Sequence, residues 1–287
     1  MRTAIIDIGS NSVRLAIVAD GKTLSKQLAT TRLGEGLSTY GVLNAEAIER
    51  TAQAVCTFKA QAECEGIKSI YAFATAAVRS APNGGDFVRR VYDLCGIKVD
   101  VISGEQEAQI GLMGALKGAD GGIIDVGGAS TEVTIRNNGN IIFAKSVNIG
   151  TVRLYDLAGR DRTKLEKVID SKLEEYGNVS ASAYDMYTIG GTASRLASIK
   201  HGLKEYHPEI TDGTRVTVEE MAGFADKLLT MPVEEIRATT ICTNSADIVG
   251  GGCLLIYKLM KKLGLNVLTV SESDNLEGYY MLKAGTK

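Results

Sequence analysis

The chain carries one strand–turn–strand pattern twice, and that repetition narrows the folds open to it. Residues 3–18 read Thr-Ala-Ile-Ile-Asp-Ile-Gly-Ser-Asn-Ser-Val-Arg-Leu-Ala-Ile-Val, and residues 122–135 read Gly-Ile-Ile-Asp-Val-Gly-Gly-Ala-Ser-Thr-Glu-Val-Thr-Ile. Each is an apolar run ending in aspartate, then a turn of small residues, then a second β-prone run. Asp7 and Asp125 hold equivalent places, with Gly9 and Gly127 two residues on and Ser12 and Ser130 five residues on. A turn of this kind leaves backbone N–H groups uncovered and makes an anion cradle. A carboxylate beside that cradle is compatible with a bound anion only when a cation stands between them. The pairing therefore points to phosphate plus a divalent metal. One copy would read as an ordinary β-hairpin with aspartate in its turn; two copies in matching contexts favour a duplicated site.

The segments around the repeats follow the same plan. Lys22–Thr31 extends the first hairpin by a third antiparallel strand, and Ile141–Val147 does so for the second, after the Asn138-Gly139 turn. Asn44 caps a long amphipathic helix, Ser69–Thr75 is a buried strand, Gly84–Cys95 a helix and Ile97–Ile102 a strand. Ser103 and Gln106 form a capping box that fixes the start of the next helix. Glu105 and Glu107 fall in its first turn, where the helix dipole favours acids. Glu107 alone thus reads equally as a surface acid or a catalytic one. Gly111 and Gly114 weaken this helix and suggest that another backbone packs closely there.

Residues 117–122, Lys-Gly-Ala-Asp-Gly-Gly, are the expected hinge between lobes. Helices follow at Lys164–Tyr176, Val218–Leu229 and Ala246–Leu263, with strands at Asp185–Ile189 and Asn266–Ser271 and a closing helix at Asn275–Lys283. The strand ending in Gly190-Gly191-Thr192 opens a helix and turns free N–H groups toward any anion in a cleft. The expectation is an α/β protein of two lobes, 1–119 and 120–287, with the closing helix 275–284 able to pack back on the first.

Composition removes several function classes. Net charge is −2 and no basic stripe is interleaved with aromatics, which argues against a nucleic-acid partner. Arg2 and Asp7 interrupt the apolar start that a signal peptide needs, and no uncharged run approaches membrane-spanning length. The five cysteines are odd in number and form no Cys-x-x-Cys pair, as expected of reduced thiols in a cytoplasmic protein. Two histidines are too few for a histidine-rich metal site or a histidine-based triad.

The segments Asp7-Ile-Gly-Ser-Asn-Ser-Val-Arg14, Ala74-Thr-Ala-Ala-Val-Arg-Ser80, Ile102-Ser-Gly-Glu-Gln-Glu-Ala108, Asp125-Val-Gly-Gly-Ala-Ser-Thr-Glu132 and Ile189-Gly-Gly-Thr-Ala193 occur in that order. Together they resemble the exopolyphosphatase and guanosine pentaphosphate phosphatase family. That family lies in the sugar-kinase, actin and chaperone ATPase superfamily, so the resemblance implies two ribonuclease-H-like lobes with a cleft between them. It implies release of terminal orthophosphate from a phosphoanhydride by magnesium-assisted attack of water. It makes Glu107 the catalytic base and Arg79 a phosphate-contacting residue. Asp125 and Glu132 would hold Mg2+, with Asp7 as the equivalent acid of the first repeat. Ser10, Asn11, Gly127, Gly128, Ser130, Gly190, Gly191 and Thr192 would line the phosphate path.

The chain departs from the family pattern at several points. Gln106 replaces the first acid of a Glu-Glu pair, Ala129 replaces a glycine, and Ser245 stands where an arginine is common. Residues 270–278 also lack the arginines often found there, and net charge −2 offers no channel for a long polyanion. A homodimer is expected from the same resemblance. Two other activities remain open at this level: a non-catalytic alarmone or nucleotide sensor, and a kinase of the same superfamily.

Overall fold

The computed structural model describes residues 1–285. The first lobe opens with β1 (Arg2–Ile8), β2 (Ser12–Ala19) and β3 (Lys22–Thr30) and the short α1 (Leu37–Tyr40). It continues through α2 (Ala45–Cys64), β4 (Ser69–Ala74), α3 (Ala76–Ser80), α4 (Gly84–Cys95), β5 (Val99–Val101) and α5 (Gly104–Leu116). The second lobe has β6 (Gly121–Val126), β7 (Thr131–Asn137), β8 (Asn140–Val147), α6 (Thr151–Ala158) and α7 (Arg162–Leu173). Then come β9 (Met186–Ile189), α8 (Gly191–Lys200), α9 (Pro208–Thr211), β10 (Arg215–Thr217), α10 (Val218–Thr230) and α11 (Val233–Thr239). The chain closes with α12 (Val249–Leu263), β11 (Val267–Val270) and α13 (Asn275–Gly285).

The first sheet has the order β3-β2-β1-β4-β5 and the second β10-β11-β9-β6-β7-β8. In each, the opening three strands are antiparallel and the next pairs parallel with the first. The two sheets thus share one five-strand arrangement, the ribonuclease-H-like unit, and β10 is an added edge. β1 and β6 are central strands covered on both faces, which is why Ile5, Ile6, Ile8, Ile123 and Ile124 form nearly unbroken apolar runs.

One face of the first sheet packs on α2 and α4, around Val55, Phe58, Phe87 and Val91. The other face is covered by α5 together with the C-terminal α13, where Phe73 stacks on Tyr279 with ring centroids 4.4 Å apart. α5 also presents Leu112 and Leu116 to Ile123 and Ile189 of the second sheet. It therefore lies between the two sheets. Its glycines explain the close fit: a Cβ on Gly114 would lie 1.9 Å from the Asp274 carbonyl, and one on Gly278 of α13 would lie 1.7 Å from that of Ile110.

Several boundaries differ from the sequence reading. The expected hinge 117–122 is a loop only to Asp120, because Gly121 and Gly122 are buried residues of β6. A Cβ on Gly122 would stand 2.4 Å from Met186 Sδ and 2.7 Å from the Thr134 carbonyl, so this glycine serves packing inside the sheet. Residues 246–248 precede α12, and the helix expected to run to Tyr176 ends at Leu173 before a 3₁₀ turn. The strand expected over 97–102 is confined to Val99–Val101. The elements α6, β10 and α11, of eight, three and seven residues, add to those expected.

Candidate active site

The two repeated turns meet face to face. A Cβ on Gly128 would fall 2.8 Å from Ser10 Cβ and 3.2 Å from the Asn11 nitrogen, so the second turn touches the first across the lobe boundary. In both turns the glycine N–H closes the hairpin: Gly9 donates to the Ser12 carbonyl and Gly127 to that of Ser130, each at 3.0 Å. Gly127 therefore lines the site with its own donor committed. The N-terminus of α6 holds the second turn from behind, since Thr151 donates to the Gly127 carbonyl and Val152 and Arg153 to that of Gly128. Arg153 Nε adds a 3.0 Å bond to the Ala129 carbonyl.

Between the turns is a narrow cavity of about 90 Å³. Asp7, Glu107 and Asp125 line it, with Ser10, Asn11, Gly127, Gly128, Ser130, Gly190, Gly191 and Thr192. All eight residues expected along the phosphate path are thus gathered at one place. Gly190 adopts φ +87°, a left-handed conformation suited to glycine, and starts α8 directly above Asp125. Asn11 Oδ1 is buried without a partner.

The buried acids are set by strand register. Asp7 stands opposite Arg14 across β1–β2, and Asp125 opposite Glu132 across β6–β7, at matching positions of the two repeats. Arg14 donates through Nε to Asp7 Oδ2 at 3.0 Å, and through its Nη atoms to Asp7 and to Asp274. Burial pushes the Asp274 carboxyl up, but Arg14 and Lys26 outweigh it and hold this acid below its usual range. Glu132 accepts a 2.6 Å bond from Ser146, while its Oε2 has no partner. Asp125 accepts a 2.7 Å bond from Asn275 Nδ2 at the start of α13. Arg79 does not line the cavity; it donates to Glu107 Oε2 and to the Ile102 carbonyl, both at 2.9 Å.

Burial, and after it the neighbouring acids, raises the affinity of these carboxyls for protons. Burial pushes Glu107 up to about 7, the Arg79 charge opposing and Asp7 adding to the rise. Burial and the Glu107 charge push Asp125 up to about 7 as well. Burial, with the Glu107 and Asp125 charges, raises Glu132 well above its usual range. Asp7 also rises through burial, with Arg14 opposing.

A divalent cation fits this donor set. Asp7 Oδ1 and Glu132 Oε2 are buried carboxylate oxygens without partners, and Asp125 and Glu107 repel each other across the cavity. Among the described residues no three side chains already converge as a metal cluster. Mg2+ does not need such a cage, because it keeps several waters and is held by one or two carboxylates plus substrate phosphates.

Sequence reading did not single out Arg14, Asp274, Asn275 or Arg195, all of which line the cavity or tie its acids. Arg14 lay within reach, because the hairpin register places residue 14 opposite residue 7. Asp274, Asn275 and Arg195 carry no such local signal, since they reach the site through the return of α13 and through α8.

Comparison with known proteins supplies the family. The chain is 28% identical over 303 residues to the bifunctional 3-dehydroquinate synthase/phosphatase of Fusobacterium nucleatum, a match covering 96% of this chain and 45% of that protein. It therefore spans about half the length of that relative. It is 27% identical over 316 residues to exopolyphosphatase 2 of Mycobacterium tuberculosis, covering 99% of each. The crystal structure of an exopolyphosphatase-like protein superposes with a TM-score of 0.92 at 26% identity, over 100% of this chain and 99% of the other. A profile of the Ppx/GppA phosphatase family matches residues 5–284, and the chain belongs to that family.

Proposed function

We infer that the protein is a phosphohydrolase that releases terminal orthophosphate from a phosphoanhydride, inorganic polyphosphate or guanosine pentaphosphate. The observation that carries this reading is Glu107, buried between two facing N–H-bearing turns with its carboxyl lifted to about 7. A base with that proton affinity is suited to take a proton from water near neutral pH. Family membership and the likeness to an exopolyphosphatase support the same reading.

The narrow cavity takes the terminal phosphoryl group, with Ser130 and Thr192 hydroxyls and the N–H groups of the second turn and of α8 as donors. Glu107 orients the attacking water and accepts its proton. Arg79 fixes the Glu107 carboxylate through the 2.9 Å bond. Arg14 keeps Asp7 and Asp274 in place at the cavity wall. Asp125, Glu132 and Asp7 would hold Mg2+, which supplies neutralisation of charge on the transferring phosphoryl group. A cytoplasmic setting fits the five free thiols, and no helix among the described residues is long and apolar enough to cross a membrane. A homodimer is the proposed assembly.

The test is phosphate release from tripolyphosphate, long polyphosphate, guanosine pentaphosphate and ATP, with and without magnesium, for the wild type and Glu107→Gln. Magnesium-dependent release that Glu107→Gln abolishes is the expected result. Tight binding of these compounds without release would replace the reading with a sensor. Phosphate appearing only on an acceptor would replace it with a kinase.

A further inference from the structure

Beside the narrow cavity lies a second one of about 280 Å³, and the two share Arg14, Leu28, Gly191 and Arg195 as walls. The charged groups of the larger cavity are nearly all accounted for. Lys26 donates to Glu277 and to the Glu272 carbonyl, and Arg14 is shared between Asp7 and Asp274. Glu272 accepts from Ser194 at 2.8 Å, Tyr206 at 2.6 Å and Thr211 at 2.5 Å. Arg195 is the exception: among the described residues it has no hydrogen-bond partner and no ion pair. It projects from the first turns of α8, and its Nη1 lies 2.5 Å from where a Cβ on Gly191 would be. Burial and the nearby Arg14 charge lower its proton affinity, with Cys242 opposing. A half-buried guanidinium without a partner, on the wall shared by two cavities, is placed to receive an anionic ligand.

We propose that Arg195 binds the first phosphate of the leaving group, at the boundary between the small cavity and the larger one that receives the rest of the substrate. This rests on the phosphohydrolase reading, since it divides the substrate between a terminal phosphoryl pocket and a leaving-group pocket. A guanidinium presents a planar fork to two phosphate oxygens, and Arg195 is the cation of the shared wall left free to do so. Arg195 is therefore a specificity residue: it separates ligands with two or more linked phosphates from orthophosphate, which occupies the narrow cavity alone. The balanced charges farther along the larger cavity add little attraction for many further phosphates, so the recognition is of a short linked anion.

The test measures calorimetric binding of tripolyphosphate and of orthophosphate, with magnesium present and absent, to Glu107→Gln protein and to the same protein carrying Arg195→Met, Arg195→Gln or Arg195→Lys. Loss of a charge-assisted contact predicts tripolyphosphate affinity about ten- to a hundredfold weaker in the Met and Gln variants. Orthophosphate affinity stays within about twofold, and Lys gives an intermediate value. Unchanged tripolyphosphate affinity, or an equal loss for both anions, overturns the proposal. Two neutral replacements guard against one misfolded variant. Because binding is read without turnover, wild-type protein that binds tripolyphosphate but releases no phosphate defeats the hydrolase reading and leaves this comparison intact. Absence of any tripolyphosphate binding defeats both.

Discussion

Asp125 faces Glu132 across the β6–β7 ladder, two buried carboxylates in directly opposed positions. The equivalent pair of the first repeat is Asp7 and Arg14, which neutralise each other. Directly opposed side chains share one face of a sheet and interact, so like charges there are destabilising. One copy of the duplicated hairpin pairs its acid with a cation of its own, and the other sets two buried acids against each other.

That imbalance predicts how stability depends on pH. In the metal-free protein Glu107 and Asp125 bind protons up to about 7, whereas in the unfolded chain they release them near 4.5 and 3.8. The folded state holds more protons between those limits, so stability falls as pH rises from about 4 through 7, by up to about 1.4 kcal/mol per pH unit per group. Thermal melting without metal should show a lower Tm at pH 8 than at pH 6. Magnesium should raise Tm more at pH 8, and Asp125→Asn should flatten the slope. A slope unaltered by Asp125→Asn would contradict the assignment.

Glu107→Gln keeps the shape of the side chain and a bond to Arg79 but removes the base. Turnover should fall by about 10²–10⁴-fold, with substrate affinity within about threefold of wild type. Steady-state phosphate release and calorimetry together check this, and a kcat close to wild type would remove Glu107 from the chemistry.

Arg14→Met would leave Asp7 and Asp274 buried without their shared counter-ion. Breaking a buried pair of this kind costs about 3–5 kcal/mol. The denaturation midpoint should drop accordingly, and adding Asp274→Asn should recover part of the loss. A midpoint equal to wild type would show that the two acids are neutralised by other means.

Gly278→Ala places a methyl group 1.7 Å from the Ile110 carbonyl, a position backbone must move to admit. The overpacking should cost at least about 1–3 kcal/mol. It should also weaken activity, because α13 carries Asn275, which holds Asp125. Gly223→Ala is the contrast: the position is exposed in α10 with no atom within 4 Å of the new Cβ, and helix propensity predicts a gain of up to about 1 kcal/mol. Melting curves of the two variants should move in opposite directions.

The duplicated hairpins, the capping box at Ser103 and Gln106, and the gathering of small residues into turns are all legible in the order of residues alone. These are local properties: alternation, capping and turn chemistry act over a few residues and leave a readable pattern. Gly111 and Gly114 also signal a close neighbour on α5, which proves to be side chains at Gly111 and a second backbone at Gly114. Which backbone that is emerges only from the folded chain, because it is α13, more than 150 residues away. The same return of the C-terminus brings Asp274 to Arg14 and Asn275 to Asp125. The pairing of Arg79 with Glu107 also depends on how α3 and α5 sit on β4, which periodicity does not encode. The Gly121–Gly122 pair marks the limit most clearly: by composition it is a flexible link, and in the folded sheet it is where Met186 and the Thr134 carbonyl leave no room for a side chain. Composition records what a residue can do alone, and the site is made of charges and contacts that exist only after distant segments are packed together.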